Sequence, residues 1–300
     1  MEKIIQLDSV DTYNKLYGLE TMHPLVNVID LTRATKTVNH IQINYGVYAL
    51  FLKGGKECDI KYGRREYDYQ EGTIVSFAPG QVVRVDMKEE IAHPKVYGIL
   101  FHPDIIRGTS LGQTIKNYGF FAYASHEALH LSLRERATVM DCLDKIRMEL
   151  EHAIDKHSKS LIAMNIELLL SYCMRFYERQ FITREAANKD ILQKFENQLN
   201  DYLADSPAME QGLPTVKYFA DKACLTPNYF GDLIKKETGK SAQEYIQHKL
   251  VERAKDLIAE TNLTMSEIAY ELGFQYPQHF GRLFKKQAGI TPNMYRKSIH

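Results

Sequence analysis

The stretch FGRLFKKQAGITPNMY (residues 280–295) repeats in outline FGDLIKKETGKSAQEY (residues 230–245). Phe-Gly, Lys-Lys, Gly and Tyr stand at matched places in the two copies. A repeat of this kind decides the architecture before any single segment does. In the second copy, Thr264 and Glu267 have the spacing of a capping box. The segment MSEIAYEL then turns Ile268, Ala269 and Leu272 inward, and Gly273 supplies a turn whose positive φ costs glycine nothing. Pro277 suits the first turn of the next helix, where the missing amide does no harm. Phe280, Leu283 and Phe284 form the apolar side of that helix, and Gly289 ends it. The first copy follows suit. Phe219, Ala220 and Ala223 point inward, Cys224 takes the turn, and Thr226-Pro227 opens a helix with Phe230, Leu233 and Ile234 inside and Gly239 at its end. Short helix, tight turn, helix is the helix-turn-helix pattern.

Between the copies, residues 241–262 read SAQEYIQHKLVERAKDLIAETN. Ser241 can cap a helix there, and good helix formers fill it. About 20 helical residues span about 30 Å. Successive major-groove faces on one side of duplex DNA lie about 34–36 Å apart. The spacing therefore predicts a rod that sets two recognition helices into adjacent major-groove segments. Charge agrees locally. The whole chain is neutral, with 38 basic and 38 acidic residues, yet residues 272–300 carry only Arg282, Lys285, Lys286, Arg296 and Lys297 as formal charges, all positive.

The 300 residues are enough for two ordinary domains, and 44% apolar with 25% charged residues is a globular composition. Cys58, Cys142, Cys173 and Cys224 are scattered without a CxxC, which suggests reduced thiols in a cytoplasmic protein rather than a disulfide framework or zinc ribbon. The first residues do not read as a secretory signal, and no apolar run is long enough for a transmembrane helix, so no membrane partner is expected. Residues 39–102 alternate apolar and polar between turn residues, which predicts a β sandwich or small barrel. From residue 131 the period becomes helical. Val139, Leu143, Ile146 and Leu150 form one stripe, and Ile162, Ile166, Leu169, Cys173 and Phe176 a second. These form a helical hairpin. Its stripes either pack on the β domain or, with seam-like spacing, meet a second chain as a dimer interface. Residues 183–190, TREAANKD, read as a polar link.

From residue 190 onward, IAYELGF, FGRLFKKQAGITPNMYRK and the VERAKDLI spacer together resemble the DNA-binding domain of AraC-type transcription regulators. The resemblance implies an α+β multidomain fold. Residues 1–130 would be a cupin-like regulatory β domain or barrel. Residues 131–187 would be a helical hairpin and linker that makes a homodimer. Residues 188–300 would be an all-α domain with two helix-turn-helix units joined by a long helix. Double-stranded DNA, RNA polymerase and a small-molecule effector are the implied partners, and no cofactor is expected. Tyr48, Tyr69, Phe77, Arg84 and His102 are the candidates for lining an effector pocket. A metal-binding cupin would carry a histidine where this chain has Pro79-Gly80-Gln81, so a metal-free pocket is expected. A β domain that binds a protein partner is the alternative. Gly231, Gly281 and Asp232 depart from the family pattern, and they bear on which sequence is read.

Base-edge chemistry selects the readers. Gln278, His279 and Arg282 project opposite the buried side of the second recognition helix, and Asn228 and Asp232 hold matched places on the first. Arg suits guanine, Gln and Asn suit adenine, and Asp can accept from cytosine. Lys235, Lys236, Lys285, Lys286 and Arg296 suit phosphates, which position without specifying. Tyr245 and Tyr295 are expected as core anchors. One enzymatic motif competes: HEALH, with His126, Glu127 and His130 in the zinc-hydrolase pattern. It would need a helix to set both imidazoles one turn apart, and no third ligand stands nearby. The expectation is a non-enzyme.

Overall fold

The computed structural model describes residues 4–38, 41–54, 72–85, 95–124, 127–183, 185–204 and 212–299. The chain divides into two compact units, Met1–Ile182 and Thr183–His300.

The first unit is built on strands β1 (Ile4–Leu7), β2 (Val26–Asp30), β3 (Ile41–Tyr45), β4 (Tyr48–Lys53), β5 (Thr73–Phe77), β6 (Val82–Val85), β7 (Val96–Phe101) and β8 (Leu129–His130). They form a three-stranded sheet, β1-β3-β6, and a five-stranded sheet, β2-β7-β4-β5-β8. Only the β1–β3 pairing is parallel among the described ladders. The strand-rich reading of residues 39–102 thus holds for β3 to β7, while its segments 55–71 and 86–94 lie outside the described residues. Two strands, a short 3-10 helix and one α-helix precede it among the described residues.

That helix, α1 (Val10–Tyr17), starts where the Ser9 side chain accepts from the Thr12 amide and ends at Gly18 in the left-handed region. Its Tyr13 and Tyr17 stand one turn apart and enter a core shared with Leu7, Ile43, Tyr45, Phe51 and Leu100. Tyr13 stacks on Phe51 at 5.8 Å. Burial pushes the phenols of Tyr13, Tyr17 and Tyr45 up, which keeps all three neutral. Two buried amides satisfy each other there: Asn27 Nδ2 donates to Asn14 Oδ1 at 2.8 Å, and Asn14 Nδ2 donates to Thr21 Oγ1 at 2.9 Å.

Two helices complete the unit: α4 (Leu133–Glu151) and α5 (Ser158–Thr183), after the short α2 (Pro103–Ile106) and α3 (Ser110–Thr114). Ser132 and Glu135 form a capping box at the start of α4. Arg179 of α5 grips Glu135 with two bonds of 2.8 and 2.9 Å and donates to the His130 carbonyl at 2.7 Å. The hairpin stripes are buried inside the unit. Ile162, Ile166, Leu169, Cys173 and Phe176 are 0–7% exposed. They are therefore core of this chain, and the expected interface with a second chain does not lie on that stripe. A heptad-like spacing fits an internal helix pair as well as a seam between chains, so spacing alone does not separate them. The polar stretch at 183–190 is helical where it is described: α5 runs to Thr183 and the next helix begins at Glu185, because Glu, Ala and Lys are good helix formers.

The second unit holds α6 (Glu185–Ala204), α7 (Val216–Lys222), α8 (Pro227–Thr238), α9 (Ala242–Glu260), α10 (Met265–Glu271), α11 (Pro277–Ala288) and α12 (Pro292–Ile299). The 19-residue α9 packs against α7, α8, α10, α11 and α12, and α6 packs on α8 and α9. No helix among the described residues is long and apolar enough to cross a membrane.

Candidate nucleic-acid interface

The two helix pairs are built alike, as the repeat requires. The turn of the first is Cys224 at φ 55 and that of the second is Gly273 at φ 87. Cysteine accepts a strained left-handed conformation where the second copy has the unstrained residue. Thr215, Thr226, Ser241 and Thr264 cap α7, α8, α9 and α10 through their side chains. Gly239 and Gly289 close α8 and α11 in the left-handed region. The inward residues are buried as expected, except Ala223 and Leu283. Phe219, Phe230, Leu233 and Ile234 in one pair, and Ile268, Leu272, Phe280 and Phe284 in the other, are at most 2% exposed. Leu283 is only partly buried.

Each pair is closed by a matched tyrosine. Tyr245 packs on Phe195 at 5.6 Å and Tyr295 on Phe284 at 5.6 Å, each with a lysine of α9 over its ring. Phe195 of α6 was not singled out by sequence reasoning. It is 2% exposed and meets Phe219, Phe230 and Tyr245, so α6 is part of the first pair's core. The Tyr245 hydroxyl donates to Glu196 of α6, and burial together with that bond pushes its phenol up to about 12.

With the apolar side of each second helix turned in, its polar side faces out. Asn228 and Asp232 on α8, and Gln278, His279 and Arg282 on α11, are all exposed. Lys235, Lys236, Lys285 and Lys286 are exposed in the last turns of the same helices. Lys235 and Lys286 belong to different pairs, yet both act on Glu244 in the first turn of α9. Its carboxylate lies below the usual range, chiefly through hydrogen bonds from Ser241 and then through these two charges. The basic ends of α8 and α11 therefore lie near one carboxylate. Arg296 differs from the lysines. It is partly buried, and its Nε and Nη2 are enclosed without a hydrogen-bond partner. Two of its three guanidinium nitrogens are thus withdrawn from the surface, unlike the lysine ammoniums. The exposed Tyr276, at the start of α11, was also missed.

The enzymatic motif does not take the required form. Leu129–His130 is strand β8, and Glu127 is fully buried with its carboxylate accepting from the Ala124 amide at 2.7 Å. His126 lies outside the described residues. Zinc chemistry on this motif needs two imidazoles on one helical face, and His130 is paired across a sheet with Thr73. No group of three metal-ligating side chains occurs among the described residues.

Of the effector-pocket candidates, Tyr48 and Phe77 are not brought together either. Opposed residues of an antiparallel pair share a face, and successive residues alternate. Phe77 opposes Ala49, so it lies on the Ala49–Phe51 face, where it stacks with Tyr45 at 5.2 Å. Tyr48 lies on the opposite face, stacked on Phe101 at 5.0 Å and edge-on to Phe121. His102 caps α2, its Nδ1 accepting from the Asp104 amide. Arg84 is described only as a β6 register partner of Gln42, and Tyr69 lies outside the described residues.

Comparison with known proteins agrees with the helix pairs. A family described as "Helix-turn-helix domain" matches residues 219–298. The HTH-type transcriptional regulator YobQ of Bacillus subtilis is 37% identical over 86 residues, 29% of this chain and 36% of that protein. The arabinose operon regulatory protein of Escherichia coli is 23% identical over 246 residues, 79% of this chain and 76% of that protein. Among solved structures, the C-terminal domain of the response regulator yesN from Fusobacterium nucleatum is 31% identical, with 36% of this chain and 98% of that one covered and a TM-score of 0.32. The chain spans well under half the length of YobQ and only 11% of YtdP, another B. subtilis regulator it matches. The C-terminal part of this chain is a helix-turn-helix domain of the AraC type.

Proposed function

We propose that the protein is a sequence-specific transcription regulator that binds double-stranded DNA through both helix pairs. The observation that carries this reading is the doubled array. Two helices of matched design expose Asn228, Asp232, Gln278, His279 and Arg282, with lysines at both C-terminal ends. Arg282 and Gln278 stand one turn apart, as a guanine reader and an adenine reader would on one groove-facing side. Lys235, Lys236, Lys285 and Lys286 serve the phosphates. Regulation implies RNA polymerase as a further partner. The strand-rich unit is assigned a cupin-like sensing role for a small molecule, with no catalytic step. A homodimer would use the outer side of α5, where Leu161, Met164 and Leu168 are 39–52% exposed at steps of three and four.

The test is the salt dependence of binding to genomic duplex fragments by the full chain. Affinity should fall steeply with salt, and changing Lys285 and Lys286 to Ala should flatten the slope by roughly 1–2 units for all sequences alike. Absence of any binding at low salt overturns the reading.

A further inference from the structure

We propose that Tyr276, held by His279, reads the methyl group of one thymine in the half-site under α11. This rests on the reading of α11 as a major-groove helix. The repeat supplies an internal comparison, because Thr226 and Tyr276 hold the same place in the two copies, as do Tyr229 and His279. In the first copy the two positions serve the fold. The Thr226 hydroxyl accepts from the Tyr229 amide at 3.2 Å, and Tyr229 is 4% exposed. In the second copy they do neither. Tyr276 sits at the N-cap of α11 and makes no side-chain capping bond, while α7, α8, α9 and α10 all have a Thr or Ser cap. Tyr276 is 55% exposed, and His279 is exposed beside it. The two rings meet edge to face, with centroids 5.5 Å apart and planes at 68°.

Tyrosine at this place gives up a cap that serine or threonine would supply, and its ring adds nothing to the core. What it does supply is a rigid, largely apolar plate at the N-terminal end of α11. In a helix-turn-helix, the N-terminal residues of the second helix meet the base edges. Those edges offer one apolar group in the major groove, the thymine C5 methyl. His279 lies one turn along and limits the ring's rotamers, while Gln278 and Arg282, one turn apart from each other, retain the polar contacts. The pair therefore adds a methyl contact to a hydrogen-bonding reader.

The experiment takes the full chain and a site recovered from a random duplex pool. Each thymine is replaced singly by deoxyuridine, and affinity is measured. One position under α11 should weaken about fourfold, the factor for one buried methyl group. Tyr276→Phe should keep that sensitivity, since the hydroxyl is not the reader. Tyr276→Ser should lose it, while melting at a higher temperature than the wild type because the cap is restored. The proposal is overturned if no thymine is sensitive in the wild type, or if the sensitive one stays sensitive in Tyr276→Ser. In both cases selective binding itself survives. Failure of the DNA-binding reading would instead recover no site at all.

Discussion

Gly231 and Gly281 occupy the same place in α8 and α11, one residue after a buried phenylalanine. Glycine inside a helix costs about 0.5–1 kcal/mol relative to alanine. The fold does not ask for it at either position. A Cβ built there meets no heavy atom within 4 Å, and neither residue has a positive φ. Changing both to alanine should therefore stabilise the free protein by about 1–2 kcal/mol. For a domain near 100 residues, each 1 kcal/mol moves Tm by about 4–8 °C. The double variant should melt roughly 4–16 °C higher on that basis. Each glycine adjoins the exposed residues assigned to base reading, Asp232 and Arg282. If the duplex approaches closely there, the added methyl groups meet it, and DNA affinity falls while stability rises. Circular dichroism melts give the first quantity, and anisotropy titration with a selected duplex gives the second. An unchanged or lower Tm refutes the helix-interior reasoning. A raised Tm with unchanged affinity refutes close approach.

Three further outcomes follow from the burial and the caps. Leu169→Glu places an unpaired charge in the core, where Leu169 is fully buried, and should unfold the first unit at a cost above about 3 kcal/mol. Leu168→Glu, on the exposed side of α5, should leave a folded protein that sediments as a monomer. The Glu267 carboxylate is held below its ordinary 4.5 by hydrogen bonds from the Thr264 amide and hydroxyl. Its contribution is therefore present above that value and lost as pH falls through the lowered one. Glu267→Ala should lower Tm at neutral pH, and the two melting curves should converge in acid.

The helix pairs were legible because their determinants are local. Gly273, Gly289 and Gly239 mark backbone positions that need a left-handed residue, and the Thr264–Glu267 box lies within one turn. The signal for Tyr276 was also present, since a tyrosine stands where the first copy has a capping threonine. The β unit was less legible because its faces depend on register. Tyr48 and Phe77 looked like pocket neighbours until the pairing of Ala49 with Phe77 put them on opposite faces. Glu135 and Arg179, which clamp α4 to α5, are too far apart in sequence for any spacing rule. For the α5 stripe, the period revealed an apolar face and could not say what covers it.

The central claim is that both helix pairs read one duplex. Selection of binding sites from a random duplex pool by the full chain tests it most directly. Two preferred blocks, centred about 10–10.5 base pairs apart, are the expected result. Arg282→Ala should relax one guanine position in one block and leave the other block intact. A single short block, or no enrichment over the starting pool, contradicts the claim.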